Sequence, residues 1–246
     1  MTTRNKTSAW IANDVSIEMP LRDRAMVALY GAIQRPWLLR SMWGGRRADK
    51  RALLDRIALP ADALPHLGSW KADTRFLHHI VDAVETLRPA NVVELGCGAS
   101  SLVIARALDR HGGGRLTSYD QHADFVASTS SWIESHGLQA DIYTAPLGNP
   151  APGWGGHWYQ LCDVPATIDL LVIDGPPWAI HPFVRGSAES LFARLTPRAT
   201  ILLDDAARPG EQVVARRWRE RWPHIAFHYD RRGSKGTLIG RVGGTP

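Results

Sequence analysis

The chain has 246 residues, of which 44% are hydrophobic and 22% are charged. This length and composition exclude disorder throughout and suit one domain with a substantial core. No apolar run approaches the roughly 18–20 residues of a membrane span, and the N-terminus lacks the apolar stretch of a signal peptide. Two cysteines, Cys97 and Cys162, exclude a disulfide framework and a four-thiolate zinc site. We therefore expect a reduced, cytoplasmic protein.

The net charge of +5 is concentrated at the N-terminus. Residues 1–60 hold eleven Lys and Arg against five Asp and Glu, whereas the other residues hold 18 against 19. A basic segment can attract nucleic acid or an anionic membrane, although a solvated helical extension is the ordinary explanation. We assign residues 1–68 to a basic helical N-terminal extension and residues 69–246 to the main domain. Peripheral membrane contact through the extension stays open.

The N-terminal part predicts helices at 20–43, broken or kinked at Pro36, and at 49–58 and 72–87. From residue 91 strands and helices alternate, which predicts a parallel sheet covered on both faces. The strands are expected at 91–95, 115–119, 140–144, 169–173 and 199–203. The helices are expected at 100–110, 122–136, 183–195 and 210–222.

Residues 225–229 and 236–241 are two further strands, and the short loop between them permits only an antiparallel pair. The predicted fold class is α/β, a doubly wound seven-stranded mostly parallel sheet with a terminal antiparallel hairpin. Residues 146–165 are rich in Pro and Gly and predict a long loop, which in a compact domain is often functional.

A glycine loop follows the first strand. Gly96 and Gly98 stand between this buried strand and a helix, so a ligand could approach the backbone at a helix N-terminus. Asp120 ends the next strand, 22 residues after Gly98, where a carboxylate can accept hydrogen bonds from ribose hydroxyls. Ser101 replaces the third glycine of the dinucleotide pattern, and Glu94 would repel a pyrophosphate. These two residues favour a cationic, sulfonium-type cofactor.

At these residues the sequence resembles class I S-adenosylmethionine-dependent methyltransferases, over about residues 69–241. Glu94, Gly96 and Gly98 match the family's first motif, and Asp120 matches its ribose-binding acid. The resemblance is closest to small bacterial methyltransferases of mostly unassigned substrate, through residues 94–101, 145–147, 158–159, 173–177 and 203–206. It implies S-adenosylmethionine as cofactor, with binding residues Glu94, Gly96, Cys97, Gly98, Ser100, Asp120, Gln121, Pro146 and Leu147.

Three carboxylates follow two neighbouring strands: Asp174 after one, Asp204 and Asp205 after the next. They are expected to converge beside the cofactor, where a hard cation such as Mg²⁺ could bind them and activate an acceptor hydroxyl. The alternative is structural: Asp174 orders the Gly-Pro-Pro turn, and Asp204 or Asp205 caps the following helix. The pattern resembles the metal-binding acids of catechol-type O-methyltransferases. Those enzymes carry a lysine base three residues after the first acid, where this chain has Pro177. Asp174 and His181 are the catalytic candidates here, with His157 as another.

Aromatic residues offer walls for an acceptor pocket, or a small satellite core under the loop: Trp154, Trp158, Tyr159, Trp178 and Phe183. Five arginines at 208, 216, 217, 219 and 221 are expected on a charged helix face.

We expect methyl transfer to a small molecule, on oxygen rather than nitrogen. One alternative is a nucleic-acid N-methyltransferase, because residues 174–178 resemble the Asp-Pro-Pro-Tyr motif, although Gly175 stands where that motif needs a side-chain acceptor. The other is a non-catalytic cofactor-binding scaffold. The acceptor's identity and the oligomeric state stay open.

Overall fold

The structure, a computed structural model, describes residues 19–243. Its strands are β1 (Asn91–Leu95), β2 (Arg115–Asp120), β3 (Asp141–Thr144), β4 (Leu147–Gly148), β5 (Trp158–Tyr159), β6 (Ile168–Ile173), β7 (Leu195–Leu203), β8 (Ile225–Asp230) and β9 (Thr237–Val242). Its helices are α1 (Leu21–Ile33), α2 (Arg35–Ser41), α3 (Arg47–Arg56), α4 (Thr74–Leu87), α5 (Ala99–Arg110), α6 (Ala123–Ser135) and α7 (Pro209–Arg221). A 3₁₀ segment covers Val184–Arg194.

Across residues 19–243, seven of these strands form one sheet in the order β3-β2-β1-β6-β7-β9-β8. The first five run parallel, and β9 is antiparallel to both β7 and β8. The predicted fold class is therefore confirmed. The strand order reverses between β1 and β6, and open α/β sheets bind ligands beyond the carboxyl ends of the strands at such a switch point.

Two helices and one strand differ in detail from the prediction. The long N-terminal helix divides at Gln34, because Pro36 fits the first turn of α2, where no intrahelical N–H is needed. The expected α-helix at 183–195 is a 3₁₀ segment, and β7 begins directly after it. This segment contains Gly186 and Ser187, which are weak helix formers. An added Cβ on Gly186 would lie only 2.2 Å from the Trp154 ring.

Two hydrophobic clusters cover the two faces of the sheet. Alternate residues of β6 divide between them, Leu170 and Val172 in one and Leu171 and Ile173 in the other, as the pleat of a strand requires. The first cluster joins α3, α4 and α5, while the second joins the 3₁₀ segment, α7 and the aromatic residues of the long loop.

Part of the predicted extension packs into the first cluster. Leu53, Leu64 and Leu67 are buried beside α4, so residues 53–67 share the core of the main domain. The boundary after residue 68 stays a prediction, and residues 1–18 lie outside the described part. Between residues 19 and 243, no helix has both the length and the apolar character to cross a membrane.

Candidate active site

The loop after β1 is shaped by two glycines with positive φ. Gly96 has a φ of +91° and Gly98 one of +149°, a region that strains residues with a side chain. An added Cβ on Gly96 would lie 2.7 Å from the backbone nitrogen of Gly175. The loops after β1 and β6 therefore touch at the switch point of the sheet. The first loop leads directly into α5, whose N-terminal N–H groups are available to a ligand.

Glu94 holds this loop from behind. Its Oε2 accepts hydrogen bonds from the hydroxyls of Ser101 and Ser118, and the Ser101 hydroxyl in turn accepts from the backbone N–H of Gly98 at 2.9 Å. Burial raises the pKa of Glu94 to about 7, against the opposing effect of the serine hydrogen bonds. Ser101, the residue that departs from the dinucleotide pattern, thus links the acid to the loop.

Asp120 ends β2 at the same edge of the sheet. Its Oδ1 accepts from the backbone N–H of His122 at 2.8 Å, and burial raises its pKa to about 6. With the glycine loop it lines a cavity of about 820 Å³, within the size range of small-molecule sites. The predicted cofactor residues in the cavity wall are Gly96, Cys97, Gly98, Ser100, Asp120 and Gln121.

Three predicted cofactor residues lie elsewhere. Glu94 is fully buried behind the loop, and neither Pro146 nor Leu147 lines the cavity. Leu147 pairs with Tyr159 in the short β4–β5 ladder, and it is Tyr159 that reaches the cavity wall. This ladder inside the predicted long loop was not visible in the sequence pattern.

The cavity also has walls that sequence reasoning missed, at residues 68–72 before α4 and at His122, Asp124, Phe125 and Ser128 around the start of α6. Of the expected aromatic residues, Tyr159 and Trp178 line it. Within the described residues, the Tyr159 hydroxyl, the Trp178 Nε1 and the Gln121 Oε1 are buried without a hydrogen-bond partner. These polar atoms are available to a bound ligand.

The predicted carboxylates converge as expected. Leu95, Ile173 and Leu203 are register neighbours in β1, β6 and β7, so the residues that follow them meet at the carboxyl edge of the sheet. Oxygen atoms of Asp174, Asp204 and Asp205 lie within 4.8 Å of one another. We call these three residues the acid cluster.

A lysine from the β8–β9 hairpin reaches the acid cluster. The Nζ of Lys235 lies 3.1 Å from Oδ2 of Asp204 and 3.4 Å from Oδ1 of Asp205. Lys235 is 3% exposed. The carboxylates around it raise its pKa although burial opposes the charge, so the ammonium form is stabilised.

Two arginines also compensate the negative charge of the acid cluster. Arg208 lies 2.9 Å from Oδ2 of Asp205, and Arg185 lies 3.1 Å from that oxygen and 3.5 Å from Oδ1 of Asp174. Arg185 also faces the buried Glu211 at 3.8 Å. Arg208 was expected on a charged helix face, but it is 5% exposed because it turns inward to Asp205. Neither arginine, nor Lys235, was predicted from the sequence to be part of this site.

The carboxyl groups differ in proton affinity. Burial raises the pKa of Asp174 and of Asp204, with Lys235 as the main opposing influence. Burial also acts on Asp205, but Arg208, Lys235 and Arg185 together outweigh it and hold the pKa of this carboxyl below its usual value.

The acid cluster fits a divalent metal ion in its spacing but not in its charge balance. Hard cations take oxygen ligands of this kind, yet each carboxylate already faces at least one buried protein cation. A divalent ion would add two positive charges beside the three buried charges of Lys235, Arg185 and Arg208, which solvent cannot screen. Magnesium therefore does not fit the site in this arrangement.

The two candidate histidines lie in a second cavity of about 540 Å³, with Asp23 of α1. The Nδ1 of His181 accepts from the backbone N–H of Phe183 at 3.1 Å, and burial lowers the pKa of its ring. Trp154 and Phe183 line this second cavity as well. The structure therefore brings Asp174 into the glycine-loop cavity, and it separates His157 and His181 from that cavity.

Comparison with known proteins agrees with this geometry. Residues 93–206 match a family model described as a methyltransferase domain. No match is found among curated proteins.

Solved structures with the same fold include several methyltransferases. An O-methyltransferase from Bacillus cereus, in complex with SAH, is 16% identical, with a TM-score of 0.54 over 89% of this chain and 99% of that one. The O-methyltransferase TomG from Streptomyces achromogenes, involved in tomaymycin synthesis and solved with SAM, is 14% identical, with a TM-score of 0.51 over 92% and 100%. At these identities the likeness concerns the fold.

The family match covers the glycine loop, Asp120 and the acid cluster, and the sheet has the seven mostly parallel strands and the terminal hairpin that were predicted. Over residues 93–206 this chain therefore matches a methyltransferase domain, and its fold is the one implied by the resemblance to class I S-adenosylmethionine-dependent methyltransferases.

Proposed function

We propose that the protein transfers the methyl group of S-adenosylmethionine to a hydroxyl oxygen of a small molecule. The observation that carries the proposal is one continuous cavity of about 820 Å³, which joins the glycine loop and Asp120 to Asp174 and Trp178. A cofactor and a hydroxyl could thus meet inside a single partly enclosed site.

The residues at one end of the cavity fit the cofactor. Gly96 and Gly98 let a ligand approach the backbone, and the Asp120 carboxylate can accept from ribose hydroxyls. The unpartnered amide oxygen of Gln121 offers a further acceptor. When bound, S-adenosylmethionine supplies an electrophilic methyl group.

The residues at the other end fit the acceptor. Asp174 lines the cavity, and its pKa is raised by burial, so its carboxylate is suited to take the proton that a hydroxyl loses on methylation. Trp178 and Tyr159 provide aromatic walls with unpartnered polar atoms. Orientation of the hydroxyl by these groups supplies rate through proximity. The proposal includes no metal step, because the acid cluster is already neutralised.

A methyl-transfer screen tests this function. The full chain, with methyl-labelled S-adenosylmethionine and a chelator present, is offered small phenols and alcohols, the matching amines, and bulk RNA. We expect label to enter a hydroxyl compound. We also expect Asp174→Asn to lower turnover about 100-fold with unchanged binding of S-adenosylhomocysteine.

Asp163→Asn is the matched control, since Asp163 is exposed and outside the cavity wall, and it should keep wild-type turnover. Label in amines or RNA but in no hydroxyl compound would contradict the proposal. Full turnover in Asp174→Asn would remove the assigned role of Asp174.

A further inference from the structure

We propose that the ammonium group of Lys235 is the resident cation of the acid cluster and occupies the place that a divalent metal ion would need. Its Nζ lies among oxygens of Asp204 and Asp205 at 3.1 and 3.4 Å. The side chain is almost fully buried, so this charge has no alternative partner in solvent.

Hydrogen bonds to Asp73 hold the hairpin loop in a position that directs the Lys235 side chain toward the acid cluster. Oδ2 of Asp73, at the start of α4, accepts hydrogen bonds from the backbone N–H groups of Ser234 and Lys235, at 2.7 and 3.2 Å, and from the Ser234 hydroxyl at 3.0 Å. Gly233 has a φ of +81°, and an added Cβ would lie 2.6 Å from the same Asp73 oxygen. The backbone on the N-terminal side of Lys235 is thus fixed against the domain.

The charges are arranged in two layers. Lys235 and Asp204 do not line the glycine-loop cavity, whereas Asp205, Arg185 and Arg208 do. An ion entering from the cavity would meet two guanidinium groups before it reached Asp204, and it would have to displace the ammonium behind them. We infer that Lys235 positions Asp204 and Asp205 without metal and that the site is closed to divalent ions.

Manganese binding and thermal unfolding test the inference on the full chain. We expect wild type to show no stoichiometric Mn²⁺ binding by electron paramagnetic resonance and no change of Tm between Mn²⁺ and chelator. Lys235→Ala should lower the Tm by about 10 °C in chelator. It should also bind one Mn²⁺ and recover part of the lost Tm. Arg231→Ala removes an exposed positive charge from the same loop and should show neither effect.

Wild-type protein that binds one Mn²⁺, with binding lost in Asp204→Asn, would overturn the inference, and this measurement holds even if Lys235→Ala does not fold. A folded Lys235→Ala variant that ignores Mn²⁺ would also overturn it. No methyl acceptor is needed, so this result is separable from the success or failure of the proposed function.

A second, independent observation concerns the outer surface of α1 and α2. Leu21, Leu29 and Ile33 recur on one side of α1 and are 80%, 53% and 47% exposed, and Leu39 and Trp43 in and after α2 are 69% and 53% exposed. Residues 19–48 contain six arginines, all exposed, against one acid. We propose that this surface binds an anionic lipid membrane.

The charge pattern selects this occupant. Apolar side chains flanked by arginines suit the boundary between lipid headgroups and acyl chains. A symmetric contact between two copies would instead place two sets of arginines against each other. The exposed side chains of this surface are not part of the glycine-loop cavity wall, which contains no residue before Gly68.

Vesicle flotation tests the proposal with the full chain. We expect the protein to float with phosphatidylcholine vesicles that contain about one-third phosphatidylglycerol, and to be released from them by salt. With vesicles of phosphatidylcholine alone, the protein should remain in the unbound fraction. Leu29→Asp with Ile33→Asp should abolish flotation. Ser131→Asp with Ser135→Asp adds the same charges to exposed sites of α6 and should retain it. Absence of flotation would overturn the proposal, as would a dimer in solution that only the first pair of substitutions separates.

Discussion

The two ends of the glycine-loop cavity are built in opposite ways. At the β1–β2 end the backbone itself forms the site, and buried polar atoms such as the Gln121 amide oxygen have no partner among the described residues. At the β6–β7 end the acid cluster is closed by Lys235, Arg185 and Arg208. The first end therefore offers backbone and uncharged polar atoms to a ligand, whereas the second end has its charges compensated by protein cations, although Asp204 Oδ1 and Arg208 Nε there also lack a hydrogen-bond partner among the described residues.

This difference teaches that converging carboxylates alone do not indicate a metal site. The deciding quantity is the number of protein cations that reach the same oxygens, because buried charges must be compensated locally. The cofactor end should therefore respond to substitutions mainly through binding, whereas Asp204 and Asp205 of the acid cluster should respond mainly through stability.

The largest effect is expected at the centre of the acid cluster. Asp205→Ala removes the carboxylate that Arg208, Arg185 and Lys235 share, so it should destabilise the fold by about 3–5 kcal/mol. Urea unfolding measures the change. Asp109→Ala, in an exposed i,i+3 pair with Arg106, is the control and should change stability by less than about 1 kcal/mol. A loss at Asp205 no larger than that would show that the cluster is not a buried charge network.

The next largest effect is expected on cofactor binding at the β1–β2 end of the cavity. Asp120→Ala removes the only carboxylate assigned to the ribose, so affinity for S-adenosylhomocysteine should fall about 100-fold, as expected for lost hydrogen bonds to a charged group. Stability should change little, in contrast to Asp205→Ala. Calorimetric titration measures the affinity, and unchanged binding would show that the cofactor does not use Asp120.

A smaller effect is expected from the loop that carries Lys235. Arg232, Arg75 and His79 bind Asp230 at its base and hold the pKa of this carboxyl below its usual value, against the effect of burial. A depressed carboxyl pKa stabilises the fold above the unfolded pKa of about 4 and loses that contribution as the pH falls through the folded pKa.

Asp230→Asn should therefore cost about 1–2 kcal/mol at pH 7, with a difference from wild type that shrinks below about pH 4. Unfolding free energies measured at several pH values check this. A difference that stays constant down to pH 2 would show that the charge of Asp230 is not what holds the loop.

The smallest effect is expected at His181. Because this residue lies in the second cavity, His181→Ala should leave methyl transfer within about three-fold of wild type, far from the roughly 100-fold or larger loss of a general base. Turnover measured beside Asp174→Asn makes the comparison. A loss as large as that of Asp174→Asn would restore His181 as a catalytic candidate.

The sequence was sufficient for the sheet, the hairpin and the glycine loop, because each follows from local pattern: apolar strands, turn residues and helix starts. It was also sufficient to bring Asp174, Asp204 and Asp205 together, since the ends of neighbouring parallel strands must meet. Its limits lay in the direction in which individual polar side chains point.

Lys235 stands in a polar loop that has the composition of a solvated turn, and its partner Asp204 is 31 residues away. No periodicity shows which way such a side chain points. Arg185 lies in a 3₁₀ segment that the apolar spacing predicted as an α-helix, so its inward direction was hidden as well. Tyr159 reaches the cavity only through the two-residue β4–β5 ladder, which is too short for a strand pattern.

Calorimetric titration with S-adenosylhomocysteine, in chelator and again in excess Mg²⁺, tests the contrast between the two ends most directly. We predict one binding site with the same Kd in both buffers. The β1–β2 end of the cavity needs no metal to bind the cofactor, and the acid cluster is already compensated by protein cations. Binding that requires Mg²⁺, or no binding in either buffer, would contradict this.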